Sequence, residues 1–130
     1  MTAQRETVTA VGAPHAVGPY THAVRAAGLL FCSGQVPLDP STSTLVEGSL
    51  GDQTRRCLEN LQTVCAAAGA SLTDAVRCAI YMTDLAGFKE VNEAYGAYFP
   101  SDPPARTAIG VAALPLGAAV EIDAIVALDR

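Results

Sequence analysis

The sequence predicts an α+β fold, a mixed β-sheet covered on one face by two helices. Three observations predict it. The periodic segments follow the order β-β-β-α-β-α-β-β; one long segment, 50–68, carries apolar residues at three- and four-residue steps; and the last segment, 119–128, alternates apolar and polar positions. Two helices suffice to cover one side of such a sheet. Its uncovered face is where subunit contacts are expected.

Residues 6–11 and 23–36 have strand character, the second run split by Gly28 into two arms of a hairpin. Between them GAPHAVGPYTH is punctuated by glycine and proline and must be a loop. The stretch LDPSTSTLVEG is another turn-rich connection before a helix that starts near Ser49. There S-L-G-D has capping-box spacing, with Asp52 in place of the preferred glutamate. Leu50, Thr54, Cys57, Leu58, Leu61, Val64, Cys65 and Ala68 form its apolar stripe, and Gly69 supplies a stop. Asp52, Arg55, Arg56, Glu59 and Gln62 fall on the solvated side. Residues 75–83 read as a buried strand and 87–99 as a second helix whose Phe88, Val91, Tyr95, Tyr98 and Phe99 face the core. After the S-D-P-P turn come strands at 106–113 and 119–128. The first places Arg106, Ala108, Gly110 and Ala112 on one face, so small residues beside Arg106 leave room for close approach.

The 130 residues are the length of one domain, 1–130, whose folding buries roughly two thirds of the unfolded surface. Half of the residues are apolar and only 16% are charged, which suits an oligomer that hides an apolar face. Eight basic against 13 acidic residues give a net charge of −5, with the basic ones scattered, so nucleic-acid binding is disfavoured. The chain lacks a long apolar run, hence no membrane span and a cytoplasmic location are expected. Cys32, Cys57, Cys65 and Cys78 sit singly in apolar segments and read as reduced packing thiols.

Chemistry-bearing motifs are sparse. His15 and His22 are the only histidines, lie in a loop and read as polar surface, which leaves no metal site. Neither a G-x-S-x-G elbow nor a glycine-rich phosphate loop occurs, and Ser33 in C-S-G-Q lacks the strand-elbow-helix context of a nucleophile. By spacing alone Arg106 is an ordinary surface arginine, and Glu121, which shares its face with Asp123, an ordinary solvated carboxylate.

A set of short motifs changes this reading. G-P-Y at 18–20, C-S-G-Q at 32–35, Q-T-R-R-C-L-E-N-L at 53–61, P-A-R-T-A-I-G-V-A-A-L-P at 104–115 and V-E-I-D-A at 120–124 resemble, in order and spacing, the Rid family (reactive intermediate deaminase, historically YjgF). The resemblance runs from about residue 13 to residue 128. It implies a chorismate-mutase-like sandwich assembled as a homotrimer with clefts between subunits. It further implies cofactor-free hydrolysis of small 2-imino or 2-enamino acids, such as 2-aminoacrylate and 2-iminopropanoate, to 2-keto acids and ammonia. Matched position by position, Arg106 corresponds to the carboxylate-binding arginine and Glu121 to the residue that positions water. Tyr20, Ser33, Gly34, Asn92 and Ala108 correspond to the remaining cleft positions.

Three departures stand out. Ala108 occupies a position where many members of the family carry cysteine, His22 replaces a common glutamine, and the run before Arg106 is proline-rich. The resemblance leaves several roles open: a related deaminase acting on 2-aminomuconate or on an aminoacrylate of pyrimidine breakdown, an endoribonuclease or translation inhibitor, and a non-catalytic trimer that binds small carboxylates.

Overall fold

A computed structural model describes residues 3–129; residues 1, 2 and 130 of the expected domain lie outside the described residues. The chain forms β1 (Glu6–Val8), β2 (Ala23–Ala26), β3 (Leu29–Gln35), β4 (Leu38–Asp39), β5 (Thr44–Leu45), α1 (Leu50–Ala67), β6 (Ala75–Met82), α2 (Phe88–Tyr98), β7 (Ala105–Gly110) and β8 (Val120–Ala127). Six strands make one mixed sheet in the order β1-β2-β3-β8-β6-β7, with both helices on one face, as the sequence predicts. Among the described residues only β6 and β7 run parallel. A parallel pair needs a crossover, and α2 supplies it.

Helix α1 forms where the caps say it should. The Ser49 hydroxyl accepts from the Asp52 N–H while the Asp52 carboxylate accepts from the Ser49 N–H, which satisfies two otherwise orphaned donors. At the other end Gly69 takes φ +73°, and the Gly69 and Ala70 N–H groups donate to the Ala66 and Cys65 carbonyls in a Schellman motif. Between the caps, Cys57, Leu58, Leu61, Val64 and Cys65 are wholly buried against the sheet. Leu61→Ala is expected to destabilise the fold by about 2–5 kcal/mol, readable as a lower midpoint in chemical denaturation.

Strand β8 is the spine. Val120, Ile122, Ala124 and Val126 point into the helical layer and are buried, while Glu121, Asp123, Ile125 and Ala127 point the other way and are half-buried. The β2–β3 turn places Ala27 and Gly28 at φ +55° and +76°, the twist a two-residue hairpin requires. On the open face, cross-strand register aligns Val24, Phe31 and Ile125 in one row, and Tyr81 stands between Ile109 and Glu121 in another. Phe31 and Ile109 are each more than two-fifths exposed, an apolar surface that no element of this chain covers.

The four cysteines are buried and unpaired. Contact with Cys65, then burial, pushes the Cys32 thiol up, and burial does the same for Cys57, so both stay protonated packing groups.

Four sequence expectations need correction. The first strand ends at Val8 instead of 11 and β7 at Gly110 instead of 113, and the turn-rich stretch before α1 contains the small β4–β5 hairpin. His22 is not polar surface. It is 4% exposed, its Nδ1 accepts from the Ala10 N–H at 2.9 Å, and Nε2 lies 2.8 Å from the Pro14 carbonyl oxygen. The first bond leaves Nδ1 unprotonated, so Nε2–H is the donor to Pro14. The ring thus serves as the core of the 9–22 loop, satisfying two backbone groups that would otherwise be buried unpaired. His15 is exposed, as expected.

Candidate functional site

The residues singled out in the sequence fall into two groups, on opposite faces of the sheet. Strand alternation enforces the division. Arg106 pairs with Cys78, which pairs with Ala124, a position on the helical side; Glu121 pairs with Tyr81, which pairs with Ile109, all on the open side.

The first group is built by β7 and α2. Arg106 emerges from β7 next to α2 and its guanidinium carbon sits over two rings, 5.4 Å from the centre of Phe88 and 5.0 Å from that of Tyr95. Both rings belong to the apolar stripe of α2, so the packing that anchors the helix also makes a flat support for the cation. Nη1 donates to Asn92 Oδ1 at 2.7 Å. Asn92 stands one turn after Phe88 on the same helix, which brings its amide to the same cation. One of the five guanidinium N–H donors is thereby used, and the group, though exposed, is held in a defined plane. Ala108, two residues along the same face, is half-buried and packs against the core.

The second group lines a cavity of about 560 Å³ on the open side. Tyr20 and His15 come from the 9–22 loop, Ser33 and Gly34 from the end of β3, and Glu121 from β8. The β3–β8 register shifts between Cys32 and Gln35, a bulge that turns Ser33 and Gly34 toward the cavity. Ser33 Oγ donates to the Thr21 carbonyl at 2.6 Å, which spends its hydrogen and leaves the oxygen free to accept. Burial, and after it the neighbouring Asp123 charge, raises the Glu121 carboxyl above the ordinary carboxylate range. Asp123 is itself tied to Tyr81, whose hydroxyl donates to Oδ2 at 2.9 Å.

Glycine at position 34 lets the Glu121 carboxylate approach the β3 backbone closely. A Cβ there would overlap Glu121 Oε2 and lie 3.0 Å from its Cδ. The obstructing atoms end a flexible side chain, so Gly34→Ala is expected to swing the Glu121 carboxylate away while leaving the fold intact. The expected readout is a melting temperature within about 3 °C of the parent's and a more than tenfold loss of whatever turnover depends on Glu121.

Several residues of the site escaped the sequence reading. Phe88 and Tyr95 were legible as core but not as the support of Arg106. Asn60, wholly buried, donates from Nδ2 to the Leu38 carbonyl at 2.9 Å and so fixes the chain that forms one wall of the cavity. A polar side chain three residues after Cys57 in a buried stripe was the available signal. A slightly larger groove of about 610 Å³ lies elsewhere, lined in part by Arg5, Glu6, Arg25 and Gly28. Its Arg25 guanidinium is already engaged by Glu6 and by the Ala68 carbonyl, whereas the smaller cavity gathers Tyr20, Ser33 and Glu121.

Comparison with known proteins agrees with this architecture. Residues 11–128 match the family described as Endoribonuclease L-PSP. Over 123 residues the chain is 49% identical to Protein DfrA of Myxococcus xanthus, a match that covers 93% of this chain and 94% of that one. The human 2-iminobutanoate/2-iminopropanoate deaminase is 39% identical over 121 residues, covering 93% of this chain and 88% of its own. The crystal structure of RidA from an Antarctic Psychrobacter superposes with a TM-score of 0.90 at 41% identity, over 95% of this chain and 99% of that one. With the matched region spanning nearly the whole sheet and both helices, the chain belongs to the Endoribonuclease L-PSP family, the Rid or YjgF family of proteins.

Proposed function

We propose that this protein hydrolyses small 2-imino and 2-enamino acids to 2-keto acids and ammonia, in a site that two copies of the chain complete together within a homotrimer. The observation that carries the reading is the support of Arg106: a guanidinium laid on two aromatic rings, fixed by Asn92 and with donors to spare. Such a fork suits a planar carboxylate, and a bidentate pair fixes the orientation of the group attached to it. The relatives named as deaminases support the same reading.

Water adds to the imine carbon of 2-iminopropanoate, and the carbinolamine then loses ammonia to give pyruvate. The sum is imine plus water to keto acid plus ammonia, with no electron transfer. One group must take a proton from water and later return it to the departing nitrogen. Glu121 suits both tasks, because its raised carboxyl exchanges protons closer to neutrality than an ordinary glutamate. Ser33 Oγ, with its hydrogen committed to Thr21, accepts from the substrate N–H, and Tyr20 lines the same cavity.

Arg106 and Glu121 leave opposite faces of one sheet, and a six-atom imine cannot touch both in a single copy. A second copy seated on the open apolar face would bring its Arg106 to the first copy's Glu121, which also accounts for exposed Phe31 and Ile109.

The test generates 2-aminoacrylate with a serine dehydratase and follows competition between hydrolysis and semicarbazide trapping. Arg106→Ala and Glu121→Gln proteins are assayed apart and after co-refolding at equal amounts. Random mixing of symmetric oligomers should restore about a quarter of parental activity, because one site in four then has both intact residues. Failure of the parent to accelerate hydrolysis would overturn the activity, and recovery of no activity on mixing would overturn the shared site.

A further inference from the structure

We propose that Leu116 makes this site selective for 2-imino acids with a branched or linear apolar side chain of about four carbons, over the methyl side chain of 2-iminopropanoate. The inference rests on the deaminase reading and adds to it the class of side chain preferred by this chain.

Leu116 is anomalous in two respects at once. Its φ is +61°, in the left-handed region where a residue with a Cβ is strained, and its side chain is 68% exposed. The next residue, Gly117, takes φ +75° with a glycine, the usual solution for such a turn. Local bonds hold this conformation: the Gly117 N–H donates to the Leu114 carbonyl at 3.3 Å and the Ala118 N–H to the Pro115 carbonyl at 3.1 Å. Core packing does not explain a leucine there, because most of the side chain lies outside the core. Its location does, since Leu116 lines the same cavity as Glu121, Ser33 and Tyr20.

The rest of the wall agrees. β3 ends where β8 begins, since the two strands are antiparallel neighbours, so Val36 and Leu38 just after β3 meet Pro115 and Leu116 just before β8. Val17, 87% exposed, reaches the cavity from the 9–22 loop. Half of the lining is therefore aliphatic, and it lies beyond the strand ends that carry Gly34 and Glu121. Within one copy, at about 30 Å³ per water-sized atom, a six-atom imine fills no more than about 180 Å³ of the 560 Å³ cavity, which leaves room both for the second copy's Arg106 and for a longer side chain at the aliphatic end. Each additional methylene that reaches the aliphatic end should strengthen binding by about fourfold. An isobutyl in place of methyl adds three carbons, which predicts a preference of at least about tenfold.

The experiment compares two imines made in situ by one L-amino acid oxidase, from leucine and from alanine, and measures kcat/KM for each. In parallel, titration calorimetry measures the dissociation constants of 4-methyl-2-oxopentanoate and pyruvate. The variants are Leu116→Gly and Leu116→Asn, both compatible with positive φ, and circular dichroism melts establish that they fold. The parent should favour the larger compound at least tenfold in both assays, and each variant should lower that ratio at least fivefold. No preference in the parent, or an unchanged ratio in the variants, overturns the inference. If neither imine is hydrolysed but the binding preference is present and falls in the variants, the deaminase reading fails while the role of Leu116 stands. Hydrolysis of both imines with no preference overturns the role of Leu116 and leaves the deaminase reading standing.

Discussion

Arg106→Ala is expected to lower kcat/KM for 2-iminopropanoate by about a thousandfold. A guanidinium–carboxylate fork makes two charge-assisted hydrogen bonds worth roughly 1.5–3 kcal/mol each, and losing both corresponds to about two to four decades in rate. So small a substrate offers few other contacts over which to spread its binding energy. Arg106→Lys should keep the charge but not the fork or the ring stacking, and should recover at most about a tenth of the loss. Arg106 is exposed and its one side-chain hydrogen bond is to exposed Asn92, so neither substitution should move the melting temperature by more than about 3 °C. Semicarbazide competition gives the rates and circular dichroism the melts. Activity within threefold of the parent in Arg106→Ala would remove Arg106 from the site.

The second large effect is expected at Glu121, where activity and stability should move in opposite directions. Glu121→Gln keeps the shape and removes the proton carrier, which should cost about 10²- to 10⁴-fold in kcat. The stability change follows from the direction of the pKa. Burial and the Asp123 charge raise the carboxyl in the folded protein, so the native state binds its proton more tightly than the unfolded chain does. Folding is therefore favoured by this group at pH below the unfolded value and loses that contribution as pH rises through the raised, folded value. At pH 7 the parent holds an unfavourable charge that the glutamine lacks. Glu121→Gln should accordingly melt higher than the parent at pH 7, with the difference shrinking as the pH falls toward 4. In the parent, kcat/KM should rise with pH through the Glu121 ionisation, because the carboxylate form takes the proton from water, and the variant should lack that limb. A variant that melts lower than the parent at pH 7 would contradict the electrostatic account of this residue.

Much of the fold was legible because local rules and tertiary packing agree. The capping box at Ser49, the stripe through Leu61 and the alternation from Val120 to Val126 each specify an element that also buries the right face. The ends of β1 and β7 were less legible, since strand character continues to 11 and 113 while the pairing partners do not. His22 shows the limit of reading a loop from composition. Its burial depends on two backbone groups, Ala10 N–H and the Pro14 carbonyl, which only the folded loop brings to one ring.

Sequence by itself determined both helices and the main-sheet strands short of their exact ends, the family motifs and the residue types available for chemistry, because all three are properties of short segments. It also marked Arg106 and Glu121 by their place in those motifs. Only the tertiary structure decided how they are arranged. Alternation along β7 and β8, combined with the register of β6 between them, sends the two side chains to opposite faces. The α2 crossover then lays Phe88 and Tyr95 beneath the guanidinium, and the pairing of β3 with β8 sets the Glu121 carboxylate against Gly34. These are contacts between residues up to 87 positions apart in the chain, such as Gly34 with Glu121, and no local pattern encodes them.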